Sequence, residues 1–344
     1  MAVDELRPGM RGIGLSVFQG SRIDTFEVEI LGVLPTAFPH GDMILGRLSG
    51  HGLETSGVVA GMSGSPIFVD GRLVGALAFG WPFSVDPITG ITPIGEMLEL
   101  TGRNEASSTA PESRLAGLPL ATWQRLWSVP ADSVLSILRP GGDAPSLLAP
   151  LRAPIAVGGL GERAAAVSAQ WLEGRGFLPV AGGGSGESAA PPAGGALRPG
   201  SSVGVVLLRG DAQMAAVGTV TWVDRGRVYA FGHPMMGRGP AAYPLARADI
   251  LTVLSRASSS FKMGVVGREV GAITRDYRPG VVGTLGAVSR LIPVNLTVAA
   301  ADRSEAFHFE ILDGPGLTPA LAGILSLNAL DALGRTSGES TLRI

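Results

Sequence analysis

Ser63 stands in Gly61-Met62-Ser63-Gly64-Ser65-Pro66, a hydroxyl between glycines directly ahead of the apolar stretch Ile67-Phe68-Val69. A serine so placed can attack a carbonyl, provided that a base takes its proton and that donors hold the resulting oxyanion. The glycines bear on the second requirement: Gly61 and Gly64 permit a tight turn in which the amides of Gly61 and Ser63 point at one oxygen. The same six residues also fit a Gly/Ser-rich lead into a hairpin that has no chemistry. A base must come from four histidines. His233, in Tyr229-Ala230-Phe231-Gly232-His233-Pro234, ends an apolar strand pattern that can hold an imidazole at a cleft. His40 and His51 lie in glycine-rich loops and His308 alternates with Phe307 and Phe309, so these three read as surface or packing residues. The chain has no cysteine, and no two histidines have metal-ligand spacing. Thiolate chemistry, disulfides and a metal hydrolase are therefore not expected, and the serine reading needs no cofactor.

The elements that must position this pair read mainly as strands. Gly14 to Phe18, Phe26 to Leu31 and Met43 to Leu45 alternate or end at Gly and Pro, with Glu27 and Glu29 facing out and Phe26, Val28 and Ile30 in. Pro66 to Val69 and Arg72 to Leu77 flank Asp70-Gly71, the pattern of a tight hairpin. A short helix is expected near Glu96 to Leu100. Residues 101 to 198 read as a connecting region, with helical patterns at Trp123 to Leu126 and Glu162 to Glu173 and a Gly/Ser/Ala/Pro-rich loop at Ala181 to Ala196. Val157 to Gly161 reads as a helix start, its spacing being wrong for a dinucleotide loop. Strand patterns resume at Val203 to Leu208, Val217 to Val223, Val228 to Phe231, Val265 to Ile273 and Val281 to Val288. A last strand from Phe307 precedes a helix at Pro319 to Leu333. Two echoes point to related halves: Leu6-Arg7-Pro8-Gly9 with Leu197-Arg198-Pro199-Gly200, and Val69 to Val74 with Val223 to Val228. The expected division is a serine-bearing half at 1 to 100, the connecting region, a histidine-bearing half at 199 to 300, and a C-terminal strand and helix at 301 to 344.

Bulk composition agrees. Among 344 residues, 51 glycines and 25 prolines with only 6% aromatic and 16% charged residues favour short strands and tight turns over long helices. Net charge is -2, and Lys262 is the only lysine; the arginines are scattered, so no basic patch is offered to nucleic acid or to an anionic membrane. No apolar run is long enough to span a bilayer, and Met1 to Glu5 is acidic where a signal peptide is basic. The start resembles that of a mature domain, which leaves room for a removed export signal.

Residues 1 to 100 and 200 to 290 resemble the SpoIVB peptidase family of serine peptidases. The resemblance rests on Gly57 to Ile67, Asp70 to Ala76 and Asp86 to Gly90, then Gly218 to Thr221, Ala230 to His233 and Gly283 to Leu285. It implies a trypsin-like double β-barrel, Ser63 as nucleophile, His233 as base, limited proteolysis of a protein or peptide substrate, and an exported setting. In the family the histidine half comes first, so the order here resembles a circular permutation. The family's acidic position falls at Arg47 to Gly52, which has no carboxylate; the orienting group is then Ser49, a backbone carbonyl, Asp42 or Asp224. The reading from another class is a binding or scaffold protein that keeps a peptidase fold without its catalysis.

Overall fold

A computed structural model describes residues 1–39, 41–81, 84, 86–101, 149–182, 195–256, 258–299, 304–314 and 316–332. In the first hundred residues the strands are β1 (Arg11–Gln19), β2 (Arg22–Phe38), β3 (Gly41–Ser49), β4 (Pro66–Val69), β5 (Arg72–Gly80) and β6 (Ile88–Pro93). A one-turn helix, α1 (Leu53–Ser56), follows β3, and α2 (Ile94–Glu99) follows β6. On β2 the alternation holds: Phe26, Val28 and Ile30 are buried and join Ile44, Leu48, Met62, Ile67, Leu77 and Ile91 in one core. Asp70 and Gly71 both have positive φ, +51° and +71°, the backbone that suits a two-residue hairpin to twisted strands. The pairing runs β1-β2-β3-β6-β5-β4 and returns from β4 to β1, so the strands form a closed ring.

Residues 149 to 182 add β7 (Ala149–Pro150), β8 (Pro154–Gly158), α3 (Glu162–Glu173) and β9 (Leu178–Ala181). Then come β10 (Ser202–Gly210), β11 (Gln213–Asp224), β12 (Arg227–Ala230), β13 (Gly239–Leu254), β14 (Phe261–Tyr277) and β15 (Gly280–Leu285). Their pairing runs β10-β11-β12-β15-β14-β13 and returns from β13 to β10. The two rings therefore have the same connectivity, strand for strand: first, second, third, sixth, fifth, fourth. β8 and β9 extend the second sheet beyond β11, while β16 (Leu291–Ala299) and β17 (Ser304–Leu312) extend it beyond β10. α4 (Thr318–Ala332) contributes Leu321, Ile324 and Leu325 to the core of this half. The protein is mainly β, in two sheets compatible with a trypsin-like fold.

The first echo has a structural meaning. Gly9 and Gly200 both sit at left-handed φ, +86° and +89°, and each donates its amide to the second strand of its ring, to Ile30 and Val220 respectively. The second echo joins unlike hairpins, β4–β5 being fourth and fifth in one ring and β11–β12 second and third in the other. It is turn chemistry recurring rather than equivalence. Of the stretch read as a helical connection, residues 149 to 182 supply three strands as well as the expected helix at Glu162–Glu173. The pattern at Trp123 to Leu126 and most of the Ala181 to Ala196 loop lie outside the described residues, as does His40. No helix among the described residues is long and apolar enough to cross a membrane.

Candidate active site

Ser63 lies in the connection between the third and fourth strands of the first ring, and His233 in the connection between the third and fourth strands of the second. Equal connectivity thus puts the two motifs at equivalent places. Contacts bring the connections together. Thr219 and Thr221 of β11 grip the serine turn: the Thr219 amide donates to the Ser63 carbonyl at 2.9 Å, its hydroxyl to the Gly61 carbonyl at 2.9 Å, and the Thr221 hydroxyl to the Gly64 carbonyl at 2.8 Å. Gly64, at φ +94°, is so close to the second ring that a Cβ there would fall 2.0 Å from the Thr219 oxygen and 2.4 Å from the Phe231 nitrogen. Only glycine meets both demands.

The histidine arm is held as firmly. Phe231 has φ +67° and Gly232 φ +70°. For an aromatic residue this is a sparsely populated backbone, and strain of this kind persists where the surroundings enforce it. Here they do: the Thr92 hydroxyl donates to the Gly232 carbonyl at 2.6 Å, and a Cβ on Gly232 would meet Ala76 at 2.9 Å and the Leu77 oxygen at 3.2 Å. Beyond the histidine, the buried Asp276 carboxylate accepts the amides of Met235, Met236 and Gly237 at 2.6 to 2.9 Å. Burial pushes this carboxyl above its ordinary range, against the pull of the amides. Sequence reading missed Asp276; it lies near the end of β14, past the strand pattern read at Val265 to Ile273 and 43 positions after His233, where no local motif marks it.

His233 is buried, with Nδ1 2.8 Å from the Pro234 carbonyl oxygen. A carbonyl only accepts, so Nδ1 carries the proton and Nε2 the lone pair, the tautomer of a general base. Burial lowers the imidazole to about 4. Nε2 has no hydrogen-bond partner among the described residues, and neither has the Ser63 hydroxyl; both atoms are buried. No hydrogen bond joins them in this structure. Buried polar atoms left without partners are uncommon, because each costs about 1–3 kcal/mol of desolvation.

None of the three candidate orienting side chains serves His233. The Asp42 carboxylate accepts the Thr36 amide at the β2–β3 turn. Asp224 is exposed at the end of β11, paired with Arg227 at the end of β12 remote from His233. Ser49 donates to Glu27 across the β2–β3 ladder. The Nδ1 partner is instead the Pro234 backbone carbonyl. Of the remaining histidines, His51 stacks on Phe18 and His308 pairs with Asn295. No group of three His, Asp or Glu suited to a metal occurs among the described residues. A cleft of about 780 Å³, lined by Val58, Trp81, Leu178 and Arg256 among others, is bordered by neither Ser63 nor His233.

A buried side chain of a different kind reaches from the second ring into the first. Lys262, wholly buried at the start of β14, places Nζ 2.8 Å from the Ser16 hydroxyl oxygen, which is 3.0 Å from that of Ser65. The lysine's amide donates to the Ala60 carbonyl, and its methylenes lie against Gly61.

Residues 3–97 match the family model of SpoIVB peptidase S55. No curated protein and no solved structure gives a significant match to the chain.

Proposed function

We propose that this chain, whose residues 3–97 support a SpoIVB-like serine peptidase at family level, hydrolyses peptide bonds through an acyl-enzyme on Ser63. In that reaction Ser63 attacks the carbonyl, His233 Nε2 takes the proton and returns it to the leaving amine, and the amides of Gly61 and Ser63 hold the oxyanion. The observation that carries the reading is the contact of Gly64 with the backbone of Phe231, which sets a Gly-flanked serine turn against the arm bearing a lone-pair Nε2. The order of the halves supports a circular permutation, because rings of equal connectivity can exchange places in a chain by moving one connection. A base held near 4 and oriented only by a carbonyl accepts protons weakly, which favours slow cleavage; limited proteolysis of a protein substrate is what the family resemblance implies.

Reaction of the folded protein with a fluorophosphonate probe tests this. Labelling of the protein, lowered about 100-fold or more in His233→Ala, is expected from general-base catalysis. Absence of labelling in folded protein favours the rival, a binding or scaffold protein with a peptidase fold. The two unpartnered buried atoms also fit that rival, as relics of a site no longer used.

A further inference from the structure

Lys262 requires an explanation that the Ser63–His233 pair does not give. A fully buried amine is costly unless it is paired or neutral, and an apolar side chain of similar length would fill the space at no such cost. The elements around it, β1, the serine turn and β13, present Ser16, Phe18, Ser65 and Val253. His51 stacks on the same Phe18 ring, and no ionisable side chain is among the groups acting on the amine. What the lysine does reach is a chain of hydroxyls ending in the same turn as Ser63. Ser65 is as deeply buried as Ser63, but it has what Ser63 lacks here, a completed hydrogen-bonded path to a base.

The geometry points to Ser65 as a second acyl-accepting hydroxyl, activated by Lys262 through Ser16. The inference rests on the reading of this turn as the acyl-accepting element and not on the choice of Ser63 within it. As the Ser65 oxygen bonds to the acyl carbon, its proton passes to the Ser16 oxygen while the proton of Ser16 passes to the Nζ lone pair. The resulting ammonium returns its proton by the same path to the departing group, and the bond from carbon to that group breaks. No external oxidant or acid is needed. The path requires a neutral amine, and burial lowers Lys262 to about 7. Acylation by this route therefore rises with pH through about 7, whereas a route through His233 is already at its full rate above about 5, since that imidazole is neutral above about 4.

The test is site-resolved labelling with a fluorophosphonate. Trypsin releases Leu48 to Arg72 as one peptide carrying both serines, and fragment ions on either side of Gly64 tell them apart. In Ser63→Ala, an adduct at Ser65 is expected, forming faster from pH 6 to 8. Adding Lys262→Met should reduce its rate about 100-fold or more, the usual contribution of a positioned base. Ser16→Ala, which keeps both the lysine and Ser65, should act in the same direction and guards against a misfolded lysine variant; thermal unfolding checks each protein. If the parent labels at Ser63 and Ser63→Ala does not label, the Ser65 path is overturned and the Ser63 reading stands. An adduct at Ser65 alone in the parent removes the Ser63 reading and keeps the path. Labelling of Ser65 at an unchanged rate in both Lys262→Met and Ser16→Ala overturns the relay, and no labelling of any folded protein overturns both.

Discussion

At the residue scale, the tautomer of His233 decides what chemistry is open. With Nδ1–H committed to the Pro234 carbonyl, the lone pair is on Nε2, and the imidazole is neutral at ordinary pH. This has a consequence for stability. The unfolded imidazole binds a proton below about 6.5 and the folded one only below about 4, so the contribution is complete above 6.5 and is lost as pH falls towards 4. The change is on the order of 3 kcal/mol. Urea unfolding from pH 4 to 7 should therefore show a slope that His233→Gln flattens; equal slopes in the two proteins would contradict it. Replacing the proposed nucleophile has a different signature: Ser63→Ala should cut hydrolysis about 100-fold or more while leaving the unfolding temperature nearly unchanged, since the hydroxyl makes no hydrogen bond among the described residues. Ser65→Ala should be milder in hydrolysis. A larger loss from Ser65→Ala than from Ser63→Ala would reverse the assignment.

At the scale of elements, two connections are made rigid by partners in other strands. Asp276 gathers the amides that follow His233, so Asp276→Asn should leave the chain folded but loosen the arm. The expected result is a fall in kcat of about 10-fold or more with KM little changed, since a misplaced base costs rate without touching substrate. A change confined to KM would contradict it. Gly64→Ala should cost more than about 3 kcal/mol, because a Cβ would strike the Thr219 backbone at a φ that L-residues avoid; a stable, active variant would refute the contact. The serine turn was legible in the sequence because its glycines and its serine are adjacent. So were the Asp70-Gly71 hairpin and the helix at Glu162–Glu173, each set by local pattern. The lengths of β13 and β14 were not, since glycines and alanines interrupt their apolar alternation, and their pairing with one another supplies what propensity lacks. Asp276, Thr219, Thr221 and Lys262 act across 39 or more positions of sequence, and such partners leave no local mark.

At the scale of the whole molecule, the two rings share hydrogen bonds rather than a covalent hinge alone, and residues 1 to 100 with 149 to 344 form one compact unit. Grip by Thr219 and Thr221 couples folding of the second ring to the shape of the serine turn in the first. Unfolding of this unit should accordingly be one transition, with far-ultraviolet circular dichroism and tryptophan fluorescence coinciding. Separate melting of the two sheets would show that the grip is weak. On the proposed reading a site divided between two rings of equal connectivity tolerates either order of its halves, because the third-to-fourth connections meet at Gly64 and Phe231. The central claim is that this meeting point breaks peptide bonds with His233 as base. It is tested most directly by counting new amino termini released from an unfolded protein substrate by the parent and by His233→Ala at pH 7. The account predicts slow release by the parent and a rate at least about 100-fold lower in the variant. Equal release by the two proteins, or none by the folded parent, would contradict it.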